Sequence, residues 1–349
     1  MRQRRIVFAN RKGGCGKTTS AVNVAAGLAL AGRKTVLIDC DAQCHASISL
    51  GFSPYAEIPT LYDALVDPQK NIQDILTPVN WPKNLFMVPA SNQLAAFELE
   101  GKRDPETRSR LAKLLMSKGM HQFDYIVIDP PPTVGLLFVK SLIAANEVII
   151  PVQTHFLSME SLAEMVRLVY QVNATVNPDL RIIGILPTFY SRQIRLANNV
   201  IQEVKKNFGQ DMILPLIRHD FSVAEAPGFK HCIYKHAPES YGADDYATVV
   251  ERLDGNCSIQ FQGRGAKEKK QRCEKSKKML PGLRKSGNDS IKGQPFGVND
   301  NRPQTKTGKP NHDLRRLTQT KTRTTGSRPQ HLQSPRATIR TRPGTRNQI

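Results

Sequence analysis

The chain has 349 residues and a formal net charge of +20, from 50 Lys and Arg against 30 Asp and Glu. Its six cysteines form no CxxC pair, its N-terminus shows no apolar core with a cleavage site, and no apolar run approaches the roughly 18 residues that span a bilayer. These features exclude a disulfide framework, a zinc ribbon and a membrane-spanning protein, and lead us to expect reduced thiols in a cytoplasmic setting.

The charge is uneven: 23 Lys and Arg stand against 5 Asp and Glu from Gly255 to Ile349, so residues 1–254 are almost neutral. Such asymmetry points to nucleic acid or an anionic surface as a partner. In chain order, Arg5-Ile6-Val7-Phe8-Ala9 reads as a buried strand, and Ala21, Val22, Val24, Ala25, Leu28 and Ala29 recur at helical spacing. Between them lies Asn10-Arg11-Lys12-Gly13-Gly14-Cys15-Gly16-Lys17-Thr18-Thr19. Strand, glycine-rich turn and helix make a phosphate-binding loop, whose N–H groups converge at a helix N-terminus. In it Lys17 reaches the outer phosphates and the Thr18 hydroxyl sits on Mg²⁺, with Gly13, Gly14, Cys15, Gly16 and Thr19 completing the cradle.

Thr35-Val36-Leu37-Ile38 is the next strand, ending at Asp39-Cys40-Asp41. A proline-punctuated stretch with a short helix at Leu61–Val66 leads to the strand Leu85–Pro89 and to helical patterns at 91–99 and 105–118. Two more apolar strands, 125–129 and 148–152, precede a helix over 158–176, a strand over 182–186, a helix over 193–207, the apolar run Met212-Ile213-Leu214 and a last helix near 240–253. Continuously apolar strands alternating with helices predict an α/β fold: a doubly wound, mostly parallel sheet with helices on both faces and ligands beyond the carboxyl ends of its strands. We place this domain at 1–254. The remainder, 255–349, is a basic tail too poor in Leu, Ile, Val and Phe to offset ordering entropy, with a short helix at 266–279 as the one element its pattern allows.

Asp129 ends an apolar strand, as a carboxylate on the metal side of bound phosphates does. Asp39 and Asp41 are two residues apart on an extended segment, so both point to one side. One of them can orient a water while the other holds the metal shell.

Lys12-Gly13-Gly14-Cys15-Gly16-Lys17-Thr18-Thr19 breaks the ordinary phosphate-loop pattern, with Arg11 where its first glycine would stand, and resembles the deviant Walker A motif of the ParA/MinD family of P-loop ATPases. The resemblance runs on through Val36–Gln43, Phe123–Pro131, Glu147–Gln153, Pro187-Thr188 and Ala224-Glu225-Ala226-Pro227, and so spans the domain but not the tail. It implies an ATPase using ATP and Mg²⁺. Lys12 would contact phosphate across a homodimer interface, Lys17 would serve the chemistry within its own chain, and Asp41 would position the attacking water. Asp39 and Asp129 would complete the metal side with Thr18.

It also implies non-specific DNA binding through Arg192 and Arg195, continued along one helix by Lys205 and Lys206. Ser222 stands where the family has a second basic residue, with Arg218 and His219 as nearby substitutes. Ala42 and Cys44-His45 depart from the family pattern beside Asp41 and bear on hydrolysis rate more than on binding. The function so implied is DNA partition, plasmid or chromosomal, on the nucleoid, with a centromere-binding (ParB-like) adaptor; positioning of a protein cargo is the alternative. A MinD-like membrane role lacks an amphipathic basic C-terminal helix, so no membrane partner is expected. A nitrogenase-reductase-like role lacks cysteines between Cys44 and Cys232, so no iron–sulfur cluster is expected.

Overall fold

The computed structural model describes residues 2–100, 105–155, 158–255 and 259. The expected tail lies outside them apart from Gly255 and Ile259, as does the helix considered at 266–279. Seven strands form one sheet: β1 Arg4–Phe8, β2 Thr35–Asp39, β3 Thr77–Pro78, β4 Leu85–Val88, β5 Tyr125–Asp129, β6 Glu147–Gln153 and β7 Arg181–Thr188. Their order is β3-β4-β2-β5-β1-β6-β7, and every pairing is parallel except that of β3 with β4. The two-residue β3 was not expected; its Pro78 cannot donate to a ladder, which confines it to the edge.

The helices are α1 Lys17–Leu30, α2 His45–Ser49, α3 Leu61–Val66, α4 Leu94–Glu100, α5 Pro105–Leu115, α6 Leu136–Ala144, α7 Ser158–Thr175, α8 Arg195–Phe208, α9 Phe221–Glu225, α10 Ile233–His236 and α11 Tyr241–Asp254. Central strands β2 and β5 are buried throughout, and their side chains alternate between two cores. Val36, Ile38, Ile126 and Ile128 join the layer of α3 to α8. Leu37, Tyr125 and Val127 join that of α1, α10 and α11. The sheet is thus doubly wound, as expected.

Two elements differ from expectation for physical reasons. The apolar run at 212–214 does not extend into a regular strand. Leu214 N donates to Ile185 O (2.9 Å) and Ile217 N to Pro187 O (2.8 Å), so the run advances three residues against two of β7 and the ladder between them is irregular. Helix α8 starts at Arg195 rather than 193, with Ile194 as its cap, and Arg192 lies in the turn before it.

Helix α11 ends where Gly255 takes a left-handed φ of 75°. Its last residues are locked to the amino ends of three strands. Asp254 pairs with Arg33 (2.9 Å) and accepts from Tyr125 Oη (2.7 Å), while Arg4 donates to the Leu253 carbonyl.

Candidate functional site

The phosphate loop is held in shape from outside. Asn10 Nδ2 donates to Pro151 O (2.7 Å) and its Oδ1 accepts from Lys12 N (3.1 Å). Left-handed φ values of 70° at Gly14 and 84° at Gly16 turn the chain into α1, a conformation that glycine adopts without steric cost. The loop carbonyls are taken up by side chains: Gly14 O by Gln153 Nε2 (2.6 Å), Cys15 O by Thr188 Oγ1 (3.0 Å) and Lys12 O by Lys17 Nζ (3.2 Å). What remains is the set of N–H donors that the first turn of a helix leaves without intrahelical partners.

Asp39 and Asp129 are register partners at the ends of β2 and β5, and they are held differently. Asp39 is 0 % exposed, with both oxygens engaged: Oδ2 accepts from Ser47 N (2.9 Å) and Ser47 Oγ (2.7 Å), and Oδ1 from Asp41 N (3.1 Å). Ser47 Oγ in turn accepts from Ala90 N (3.0 Å), tying α2 to the chain just after β4. Asp129 is 1 % exposed and neither of its oxygens has a hydrogen bond of good geometry among the described residues. Burial and the facing Asp39 raise its proton affinity, and the nearby Thr18 hydroxyl and Lys17 offset part of that rise. The two carboxylates expected on the metal side are thus held differently: Asp39 braces the Asp41 turn, and Asp129 has no such backbone donors. Asp41 accepts from Gln43 N through Oδ1 (3.0 Å) and lines the cavity above the loop.

That cavity, about 440 Å³, is lined by Gly13, Gly14, Gly16, Lys17, Thr18 and Asp41 among others. A second, mostly apolar cavity of about 220 Å³ adjoins it, sharing Gly16, Thr19 and Phe189 and walled by Thr188, Ile217 and Tyr246. Phe189, at a left-handed φ of 53°, lines both. The arrangement suits a ligand with a polyanionic end and a flat apolar end. Lys12, half-buried, does not line the first cavity. Cys15 lies buried beneath the loop, and burial raises its thiol, as it does those of Cys40, Cys44 and Cys232, so none is a ready nucleophile.

The residues expected to touch DNA lie apart from both cavities. Arg192, Arg195 and Lys206 are exposed, Lys205 is half-buried, and none of the four enters an ion pair among the described residues. On α8, Arg195 and Lys206 are about three turns apart and share a face, whereas Lys205 turns toward the groove that also holds Arg218 and Arg252. Arg218, the nearby substitute for a cation at Ser222, is engaged within the domain. Its guanidinium grips Asp245 at 2.6–3.0 Å and stacks 4.2 Å from the Tyr241 ring. Sequence reasoning missed Ser47, Phe189 and Tyr246, none of which stands in a motif.

A family model described as an AAA domain matches residues 3–182. The chromosome-partitioning ATPase Soj of Treponema pallidum is 36 % identical over 250 residues, 71 % of this chain and 96 % of that one. The sporulation initiation inhibitor protein Soj of Bacillus subtilis is 35 % identical over 251 residues, covering 72 % and 98 % of the two chains. Among solved structures, cobyrinic acid a,c-diamide synthase from Mycobacterium smegmatis with bound ADP and magnesium superposes with a TM-score of 0.61 at 26 % identity, over 74 % of this chain and 99 % of that one. No helix of the described residues is long and apolar enough to cross a membrane.

Proposed function

The chain belongs to the Soj/ParA family of P-loop ATPases, and from that premise we propose that it hydrolyses ATP to drive DNA partition, dimerising on ATP and holding DNA non-specifically in that state. The observation that carries the reading is the pairing of a carbonyl-tied glycine loop with one buried carboxylate, Asp129, that no backbone donor braces and that faces the Thr18 hydroxyl. This donor set fits Mg²⁺, a hard cation that binds through one or two protein oxygens and keeps water and phosphate as its other ligands. Thr18 and Asp129 would hold it, and when bound it neutralises charge on the outer phosphates.

The chain's own residues do the rest. Lys17 and the loop N–H groups bind the phosphates and stabilise the charge that spreads over their oxygens during transfer. The base enters the apolar cavity beside Phe189. Asp41 accepts a hydrogen bond from the attacking water and so aligns it, while Asp39, through Ser47 and Asp41 N, fixes the turn that carries Asp41. Lys12, which does not line its own cavity, reaches the phosphates of a second copy. Arg192, Arg195 and Lys206 contact DNA phosphates, with Lys205 at the edge of that face. A ParB-like adaptor is the partner that would stimulate turnover, and the nucleoid the place where it acts.

Sedimentation velocity with ATP, with ADP and with no nucleotide tests the reading. A dimer that forms with ATP alone, and is lost in Lys12→Ala while that variant still binds ATP, is the expected result. A Lys12→Ala chain that dimerises with ATP as well as the unaltered one would overturn the shared-site role of Lys12.

A further inference from the structure

A third cavity, of about 270 Å³, shares no residue with the two at the phosphate loop. It lies where the end of α2, the turn before α10 and the loop between β3 and β4 meet. Lys230, His231 and Lys235 line it together with the rings of Trp81 and Phe229, and no carboxylate does. Elsewhere the domain neutralises its partly buried cations, as Arg4 and Arg181 do on Glu147 and Arg218 does on Asp245. These three basic side chains enter no ion pair among the described residues.

The basic turn is firmly built. Lys230 takes a left-handed φ of 58°, a conformation that glycine adopts freely and other residues seldom do. Its N–H donates to Pro227 O (3.0 Å) and that of His231 to Ala226 O (3.1 Å). Next along the chain, Ile233 N is held by Asn23 Oδ1 of α1 (2.8 Å). Trp81 packs on the core of α1, α10 and α11, and Phe229 stacks 4.7 Å from the His236 ring. Backbone strain kept at a charged side chain is the kind of outlier that marks a ligand site. Partial burial lowers the proton affinity of His231, and Lys235 and His236 lower it further. At neutral pH its imidazole is therefore a neutral donor beside two ammonium groups.

We propose that this cavity binds a nucleotide with one phosphate per base, the phosphate on Lys230, Lys235 and His231 and the base against Trp81 and Phe229. Two ammonium groups match the charge of about −2 that a phosphate monoester approaches at pH 7, which a single carboxylate lacks. A planar base of any identity stacks on aromatic side chains. The volume falls just below the about 300–1,000 Å³ of pockets for drug-sized ligands, which suits one base and one phosphate better than a polyphosphate. The site goes beyond the ATPase reading and does not rest on it.

Trp81 is the chain's single tryptophan, so its fluorescence reports on this cavity. The full chain, with β,γ-imido ATP added to fill the phosphate loop, is titrated with AMP, with adenosine and with inorganic phosphate. AMP should change the Trp81 signal saturably, and the two fragments should bind at least about 10-fold more weakly. Lys230→Gly separates binding from folding. It relieves the left-handed turn, so Tm should hold or rise, while AMP affinity should fall about 10-fold or more. Lys235→Gln should weaken AMP as well. A single-stranded oligodeoxyadenylate distinguishes two sources of the same chemistry. Binding no tighter than AMP assigns the cavity to a free mononucleotide, and tighter binding that Lys230→Gly removes assigns it to an unpaired nucleotide in a strand. An AMP titration that leaves Trp81 unmoved, inorganic phosphate binding as tightly as AMP, or an unchanged AMP affinity in Lys230→Gly would overturn the proposal. Failure of the ATPase reading would appear separately, as no binding of the ATP analogue.

Discussion

Lys17 and Asp41 act on opposite ends of one event in the proposed site, and single substitutions separate them. Lys17→Ala removes a charged partner of the outer phosphates, so ATP affinity should fall about 100-fold, read by isothermal titration. Asp41→Ala should bind ATP nearly as before but lose about 10²–10⁴-fold in turnover with adaptor present. Equal turnover in Asp41→Ala would remove its water-aligning role. Ser47→Ala tests the brace: it deletes the 2.7 Å bond to a fully buried carboxylate, which costs about 1–3 kcal/mol, or several degrees in Tm for a domain of this size. An unmoved Tm would show that Asp39 finds its donor elsewhere. The motif residues were legible because a phosphate loop fixes type and spacing together. Ser47 and Phe189 were not, since a serine eight residues past Asp39 and a phenylalanine just past a strand acquire their places only when β4 is laid beside β2 and β7 beside β6.

Among elements, the strands were the most readable, because a strand buried on both faces is written as an uninterrupted apolar run. Helix α6 escaped notice for the same reason: Leu136–Ala144 is apolar nearly all round, and a helix without a polar face has no period to detect. The short α2, α9 and α10 are set by packing rather than by pattern. Helix α1 shows how tight that packing is. A Cβ built on Gly27 would stand 2.7 Å from Tyr234 Oη and 2.8 Å from Val250 Cγ2. Gly27→Ala gains about 1 kcal/mol of helix propensity but overpacks the contact with α10 and α11 at about 1–3 kcal/mol. A net fall in Tm of a few degrees is expected, and a rise would mean that α11 can retreat from α1 freely.

For the molecule as a whole, the sheet has two poles with separate duties. The carboxyl pole carries the glycine loop, Asp41 and Asp129. At the amino pole, β1 begins and α11 ends within a hydrogen bond of each other, Arg4 to the Leu253 carbonyl. That closeness makes the domain a candidate for circular permutation, in which residue 254 is joined to residue 4 by a short glycine-serine bridge and new ends are opened in the exposed turn at 53–57. Such a chain would place a fluorophore or sensor-chip linkage near the Asp41 side of the fold while leaving the strand order untouched. It should keep the ATP affinity of the uncut domain, and a permutant that folds yet fails to bind ATP would show that the 53–57 turn reaches further into the nucleotide cavity than its exposure suggests.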